Sequence, residues 1–180
     1  MSIFITIFIL LCIAIFIYNT MIKRQKIAQE AWSGIEVQLK RRYDLIPSLV
    51  EVVKAYAIHE KSILEKITKL RSIAGSDTLS AKIHSELKLS DEIANLFLIV
   101  ENYPTLKADK NFQDLHISLV ETENYIQDAR RYYNATVRNL NTFIQMFPIN
   151  ILAKIFGFKS MDFFNIKNPN EKENITISLS

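Results

Sequence analysis

Ser2-Ile-Phe-Ile-Thr-Ile-Phe-Ile-Leu-Leu-Cys-Ile-Ala-Ile-Phe-Ile-Tyr18 decides how this chain is read. The stretch carries no charge, and the first charged side chain after it is Lys23. Wound as an α-helix, residues 2–22 cover about 31 Å, the thickness of one hydrocarbon core. Lys23, Arg24 and Lys26 follow before the first acid, Glu30, and Tyr18 sits where an interfacial aromatic is expected. Residues 1–22 are therefore expected to form a single membrane anchor with Tyr18, Lys23, Arg24 and Lys26 as its collar. A cleaved secretory signal would need positive charge ahead of the apolar run and a small-residue cleavage site, and neither is present. Lipid attachment at Cys12 is disfavoured because Leu11, just before it, is not small. The basic collar favours an outside N-terminus and a cytoplasmic domain. The reading is a membrane crossed once.

Working outward, about 158 residues remain, enough for one domain with a modest core. The net charge of +3, with acids and bases interleaved, excludes a strongly polyanion-seeking surface. It leaves room for attraction to anionic lipid near the collar. The one cysteine lies in the anchor, so there is neither an intramolecular disulfide nor a thiolate metal cage. Three glycines and four prolines are too few for a many-turned β fold.

Hydrophobic periodicity then reads as three long helices. Trp32, Ile35, Leu39, Arg42, Ile46, Leu49, Val53, Tyr56, Glu60, Ile63, Ile67 and Leu70 alternate in threes and fours, one stripe of a helix reaching to about Ile73. Pro47 falls inside it. The stripe keeps its phase across Pro47, which favours a kinked continuous helix. The alternative is a new helix capped by Asp44. Gly75 is the expected left-handed cap, and Ser76, Asp77 and Thr78 offer N-cap oxygens for a second helix over residues 79–103. Leu89, Ile93, Leu96, Val100 and Tyr103 form its stripe, and Pro104 stops the helix or opens the next turn. A third helix, capped near Asp109 and ending at Phe147 and Pro148, carries Phe112, Leu115, Leu119, Thr122, Ile126, Ala129, Tyr133, Val137, Leu140 and Ile144. Residues 149–158 read as a short helix covering the bundle end, or alternatively as an amphipathic segment dipping into the bilayer surface beside Lys154 and Lys159. Residues 165–180 are polar, without period, and expected to be a mobile tail. The expected fold is all-α: a transmembrane helix followed by an elongated antiparallel up-down bundle of three to four helices over residues 23–164.

Catalytic chemistry is not legible. His59-Glu60 opens like a zinc-protease motif, but Ile63 holds the second ligand position. No Glu-x-x-His pair, phosphate-binding glycine loop or nucleophile elbow is present. The expectation is no enzyme, no cofactor and no metal. Arg42, Glu60, Glu101 and Arg130 interrupt or border the apolar stripes. Such charges are costly in a core unless paired, so they read as cross-helix ion pairs that fix register, or else as a polar groove for a partner. Tyr132, Tyr133 and Asn134 read as packing with hydrogen bonds. Arg130-Arg131 is too small a cluster for nucleic acid.

Several stretches together resemble the bacterial LemA family. They are residues 42–50 (Arg-Tyr-Asp-Leu-Ile-Pro-Ser-Leu-Val), then Lys54, Tyr56, His59 and Glu60, and residues 101–108 (Glu-Asn-Tyr-Pro-Thr-Leu-Lys-Ala). Glu123, residues 129–134 (Ala-Arg-Arg-Tyr-Tyr-Asn), Asn141 and Phe147-Pro148 continue the likeness, which runs from Tyr18 to Phe164. The resemblance implies an N-terminal membrane helix, a helical bundle and no established enzymatic activity, in a family discussed alongside membrane proteases and envelope stress. Arg42, Asp44, Pro47, Tyr56, His59, Glu60, Glu101, Tyr103, Pro104, Arg130, Tyr133, Asn134, Asn141 and Pro148 are the matching positions, as framework or as partner surface. The expected function is a membrane-anchored scaffold or adaptor for a membrane-associated protein, a protease among them, or for copies of itself. The alternative is a lipid-sensing or membrane-remodelling protein acting through residues 149–158 and the collar at 23–26.

Overall fold

The structure is a computed structural model and describes residues 1–56 and 79–164. All regular structure among these residues is helical: α1 (Ser2–Tyr56), α2 (Leu79–Val100), α3 (Pro104–Lys107), α4 (Lys110–Gln145) and α5 (Ile149–Ile155). Anchor and bundle are not separate elements. α1 is one helix of 55 residues, about 82 Å long, that begins in the apolar run and continues through the collar into the core.

Pro47 lies inside α1, so the continuous reading holds and the new start at Asp44 does not. The physical reason is its position. Pro47 is on the exposed face, where water can reach the Tyr43 carbonyl that loses its hydrogen bond. Asp44 is exposed too, and pairs with Lys40 one turn earlier at 3.3 Å. The expected continuation to Ile73, the Gly75 cap and the N-cap serine, aspartate and threonine lie outside the described residues.

The stripes fall where their spacing places them. α1 buries Ile35, Leu39, Arg42, Ile46, Leu49 and Val53, and also Met21, Ala28 and Ala31 nearer the anchor. α4 buries Phe112, Leu119, Thr122, Ile126, Tyr133, Val137, Leu140 and Ile144. Two stripe positions of α1 differ: Trp32 is only partly buried, and Tyr56 is exposed, at the end of the described helix. Three apolar clusters stack along the bundle. The distal one joins Leu49, Val50 and Val53 of α1 to Leu89, Leu96 and Val100 of α2, with Leu106 and Phe112. The middle one joins Ile35 and Leu39 to Ile126, Tyr133 and Phe164. The one nearest the anchor joins Met21 to Leu140, Ile144 and Ala153. This order makes α1 and α4 antiparallel. α2 is antiparallel to α4 in turn, since Ser90 meets Glu123 while Phe97 meets Phe112. Each fully buried leucine or isoleucine contributes about 1.5–3 kcal/mol relative to exposure, so the stacked clusters are the main stabilising term.

The ends are set by local chemistry. Pro104 opens α3 at its first position, where a missing N–H costs nothing. Asp109 caps α4 by accepting the Phe112 amide at 2.9 Å. α5 closes with Gly157 at φ 73°, and the Phe158 amide donates to the Ala153 carbonyl at 2.9 Å. That left-handed cap turns the chain, so that residues 158–164 run back along α4.

Candidate functional site

Two polar constellations stand out. In the first, Arg42 on α1 projects between α2 and α4. Its guanidinium donates to the Glu86 carboxylate, to the Glu86 carbonyl at 3.2 Å, to Ser90 Oγ at 2.6 Å and to Glu123 at 2.9 Å. Tyr43, the next residue, donates its hydroxyl to the other Glu86 oxygen. Arg42 and Glu86 are only 1% and 4% exposed, and Glu123 is 28% exposed. A planar fork of five donors suits this place, because it can serve two carboxylates on two helices at once. Burial, then the Glu86 carboxylate beside it, pushes the Tyr43 hydroxyl well above the usual tyrosine range. Arg130 is held with its guanidinium 4.3 Å from the centre of the Phe164 ring. Burial lowers its affinity for a proton, and the Glu123 carboxylate works in the opposite direction.

The second constellation fastens the returning segment. Asn134 donates its amide to the Phe164 carbonyl at 3.0 Å and accepts the Phe164 amide at 2.8 Å. Asn141 does the same for Met161, at 2.9 Å each way. Seven helical residues rise about 10.5 Å, and three extended residues span about 10 Å. The two asparagines therefore match two backbone positions of the returning segment in register. Between them, Tyr133 donates to the Asp162 carbonyl at 2.8 Å. Trp32 of α1 closes the arrangement, edge-on to Tyr133 at 5.3 Å and 6.0 Å from Phe164.

The other anticipated positions distribute as follows. Tyr56 donates to Asp109 at 2.8 Å, joining the end of α1 to the start of α4. Glu101 makes no cross-helix pair among the described residues. It is exposed and meets Lys107, six residues on, at the α2–α3 corner. Arg130, likewise, is placed over an aromatic ring and makes no direct ion pair among the described residues. Tyr103 packs partly buried against the distal cluster ahead of Pro104, and Pro148 leads exposed into α5. His59 and Glu60 lie outside the described residues. In the collar, Lys23 and Lys26 are exposed. Arg24 donates to the Asn139 carbonyl at 3.5 Å and lies 4.5 Å from the centre of the Phe143 ring. Tyr18 packs edge-on against Phe156 and Phe158, at 4.9 and 5.9 Å.

Sequence reasoning found Arg42 but not its main partner. Glu86 falls in the less regular first half of α2, where no stripe marked it as inward. The asparagine pair left a usable signal: two asparagines seven apart on one face of a helix, followed by a non-periodic segment. Chemically, the first constellation is closed. Its charges are spent on one another, and no group of three or more His, Cys, Asp or Glu among the described residues is arranged to hold a metal ion.

Comparison with known proteins finds a family and relatives that cover most of the chain. The model of the LemA family matches residues 31–179. The chain is similar to magnetosome protein MamQ 2 of Paramagnetospirillum magneticum, at 28% identity over 90% of this chain and 70% of the relative. It is similar to magnetosome protein MamQ of Magnetospirillum gryphiswaldense at 25% identity, over 88% and 68% respectively. It is also similar to protein LemA of Metamycoplasma hominis at 28% identity, over 91% and 76%. The family match spans the arginine cluster and the asparagine clamp alike, and the chain belongs to the LemA family.

Proposed function

We propose that this protein is a membrane-anchored, non-enzymatic scaffold that presents its bundle to a membrane protein. One observation carries the reading. α4 turns Ile117, Tyr125 and Tyr132 outward, 57%, 52% and 58% exposed, away from its buried stripe. Their spacings of eight and seven keep them on one face of the helix. The inward charges are consumed in the Arg42 cluster, so recognition falls to this outer face, where tyrosine is a favoured contact residue. The face has a rigid base, because α4 packs along the same helix that carries the apolar anchor. That anchor is long and apolar enough to cross a membrane, with none of its most apolar window buried. The collar of Lys23, Arg24 and Lys26 favours the cytoplasmic side for the bundle. A membrane protease is the partner class that the family resemblance suggests.

The test is brief in-cell cross-linking of the full chain, extraction in mild detergent and affinity capture from native membranes. A membrane protein recovered in stoichiometric amount with the wild type, and lost with Tyr125→Asp/Tyr132→Asp, supports the scaffold. Equal recovery with both proteins, or recovery only of further copies of the chain, overturns it.

A further inference from the structure

We propose that the chain has a second membrane contact: the α4–α5 turn and α5, residues 146–156, sit in the interfacial layer of the bilayer beside the anchor. The inference is independent of the scaffold reading. It starts from a mismatch of lengths. Residues 2–22 make up about 31 Å of helix, enough for a hydrocarbon core of about 30 Å. Yet the bundle already packs on this stretch. Met21 belongs to the cluster formed with Leu140, Ile144 and Ala153, and Ile17, partly buried, packs against it. Tyr18 is in ring contact with Phe156 and Phe158. Only residues 2–16, about 22 Å, are left clear of it, which is too short to span alone. The bilayer must therefore rise about 9 Å past Ile17 to use the whole apolar run, and the bundle end packed there rises into it. An interfacial helix sinks about 5–10 Å, the same depth.

The side chains at that end have the character this position requires. Phe147, Ile155, Met146, Ile151 and Phe156 are 80%, 69%, 51%, 51% and 48% exposed. α5 also turns Ala153 inward, so this short helix is apolar on two sides, which suits a helix with core on one face and lipid on the other. Lys154 and Lys159, both exposed, can reach to the headgroups while their stems stay with the apolar surface. Continuity with the anchor commits this patch to lipid: the same bilayer that surrounds residues 2–16 laps onto it.

The experiment uses the full chain in vesicles of phosphatidylcholine and phosphatidylglycerol, with one polarity-sensitive fluorophore per molecule. Native Cys12 is the only thiol and, labelled, is the reference inside the anchor. In a Cys12→Ala background, the label is placed by Ile155→Cys or Phe147→Cys, with Val37→Cys as the water-exposed reference. All three positions are exposed, so labelling leaves the core intact, and circular dichroism checks the helix content. The expected result is a blue-shifted emission at 155 and 147 that lipid-borne quenchers suppress, as at Cys12, and a red-shifted, unquenched emission at 37. If 155 and 147 read like 37 while Cys12 reads lipid, the anchor stands and the proposal is overturned. A blue shift at 155 that lipid quenchers leave untouched, and that fades as vesicles are diluted in protein, assigns the patch to a second copy and also overturns it.

Discussion

The arginine cluster and the asparagine clamp solve one problem, fixing register between packed segments, with opposite chemistry. At Arg42 a full charge is buried among three helices and held through its two terminal nitrogens by two carboxylates, a serine and a carbonyl, while its Nε has no partner among the described residues. At Asn134 and Asn141 neutral amides meet backbone groups, two bonds per side chain. The difference lies in what failure costs. A buried charge that loses its partner keeps its desolvation penalty, whereas a carbonyl and an amide released from the clamp can turn to water. The cluster is therefore all-or-none, and the clamp can open locally.

The largest expected effect breaks the first half of the comparison. Arg42→Met leaves Glu86 buried without its cation and should destabilise the protein by about 3–5 kcal/mol, measured by urea unfolding in detergent. Adding Glu86→Leu to that variant should recover most of the loss, because the penalty belongs to the unpaired charge and not to the missing pair. A double variant no better than the single one would place the cost in packing instead.

A smaller and more local effect tests the clamp. Asn141→Ala removes two hydrogen bonds of about 0.5–1.5 kcal/mol each. Hydrogen exchange should quicken at the Met161 amide and leave the amides of buried Leu119 and Ile126 unchanged. Protection lost uniformly along α4 would show that the clamp is part of the global fold after all.

The smallest effect lies at the end of α4 remote from the clamp. The Phe112 amide, and then the Tyr56 hydroxyl, hold the Asp109 carboxyl below its usual range. A depressed carboxylate contributes stability that is complete above its unfolded value of about 4 and is lost as pH falls through the lower folded value. Acid titration should thus weaken the start of α4 below about pH 4. Tyr56→Phe should shrink that pH dependence. An unchanged acid profile in Tyr56→Phe would assign the effect to the backbone cap alone.

The helices were legible because each long stripe is periodic over many turns, and even Pro47 preserved the phase. Arg42 was legible as a charge in an apolar stripe. What escaped is what periodicity does not encode. Glu86 pairs across 44 positions with Arg42, from a stretch with no clear stripe. Residues 158–164 form neither helix nor strand, and their role depends on a neighbouring helix and not on their own pattern. Tyr18 was read as an interfacial aromatic, and its ring also meets Phe156 and Phe158, a contact no local pattern announces. The family match also continues past Phe164 to residue 179, beyond the stretch over which the resemblance was drawn.

The unbroken run of α1 from Ser2 to Tyr56 has a mechanical meaning. With no loop between the apolar segment and the bundle there is no joint at which the two can pivot. About 50 Å of helix lies between Lys23 and Tyr56. An anchor leaning by about 20° from the bilayer normal, an ordinary tilt, swings the far end sideways by about 17 Å. Any change in that tilt is thereby magnified at the bundle's outer end.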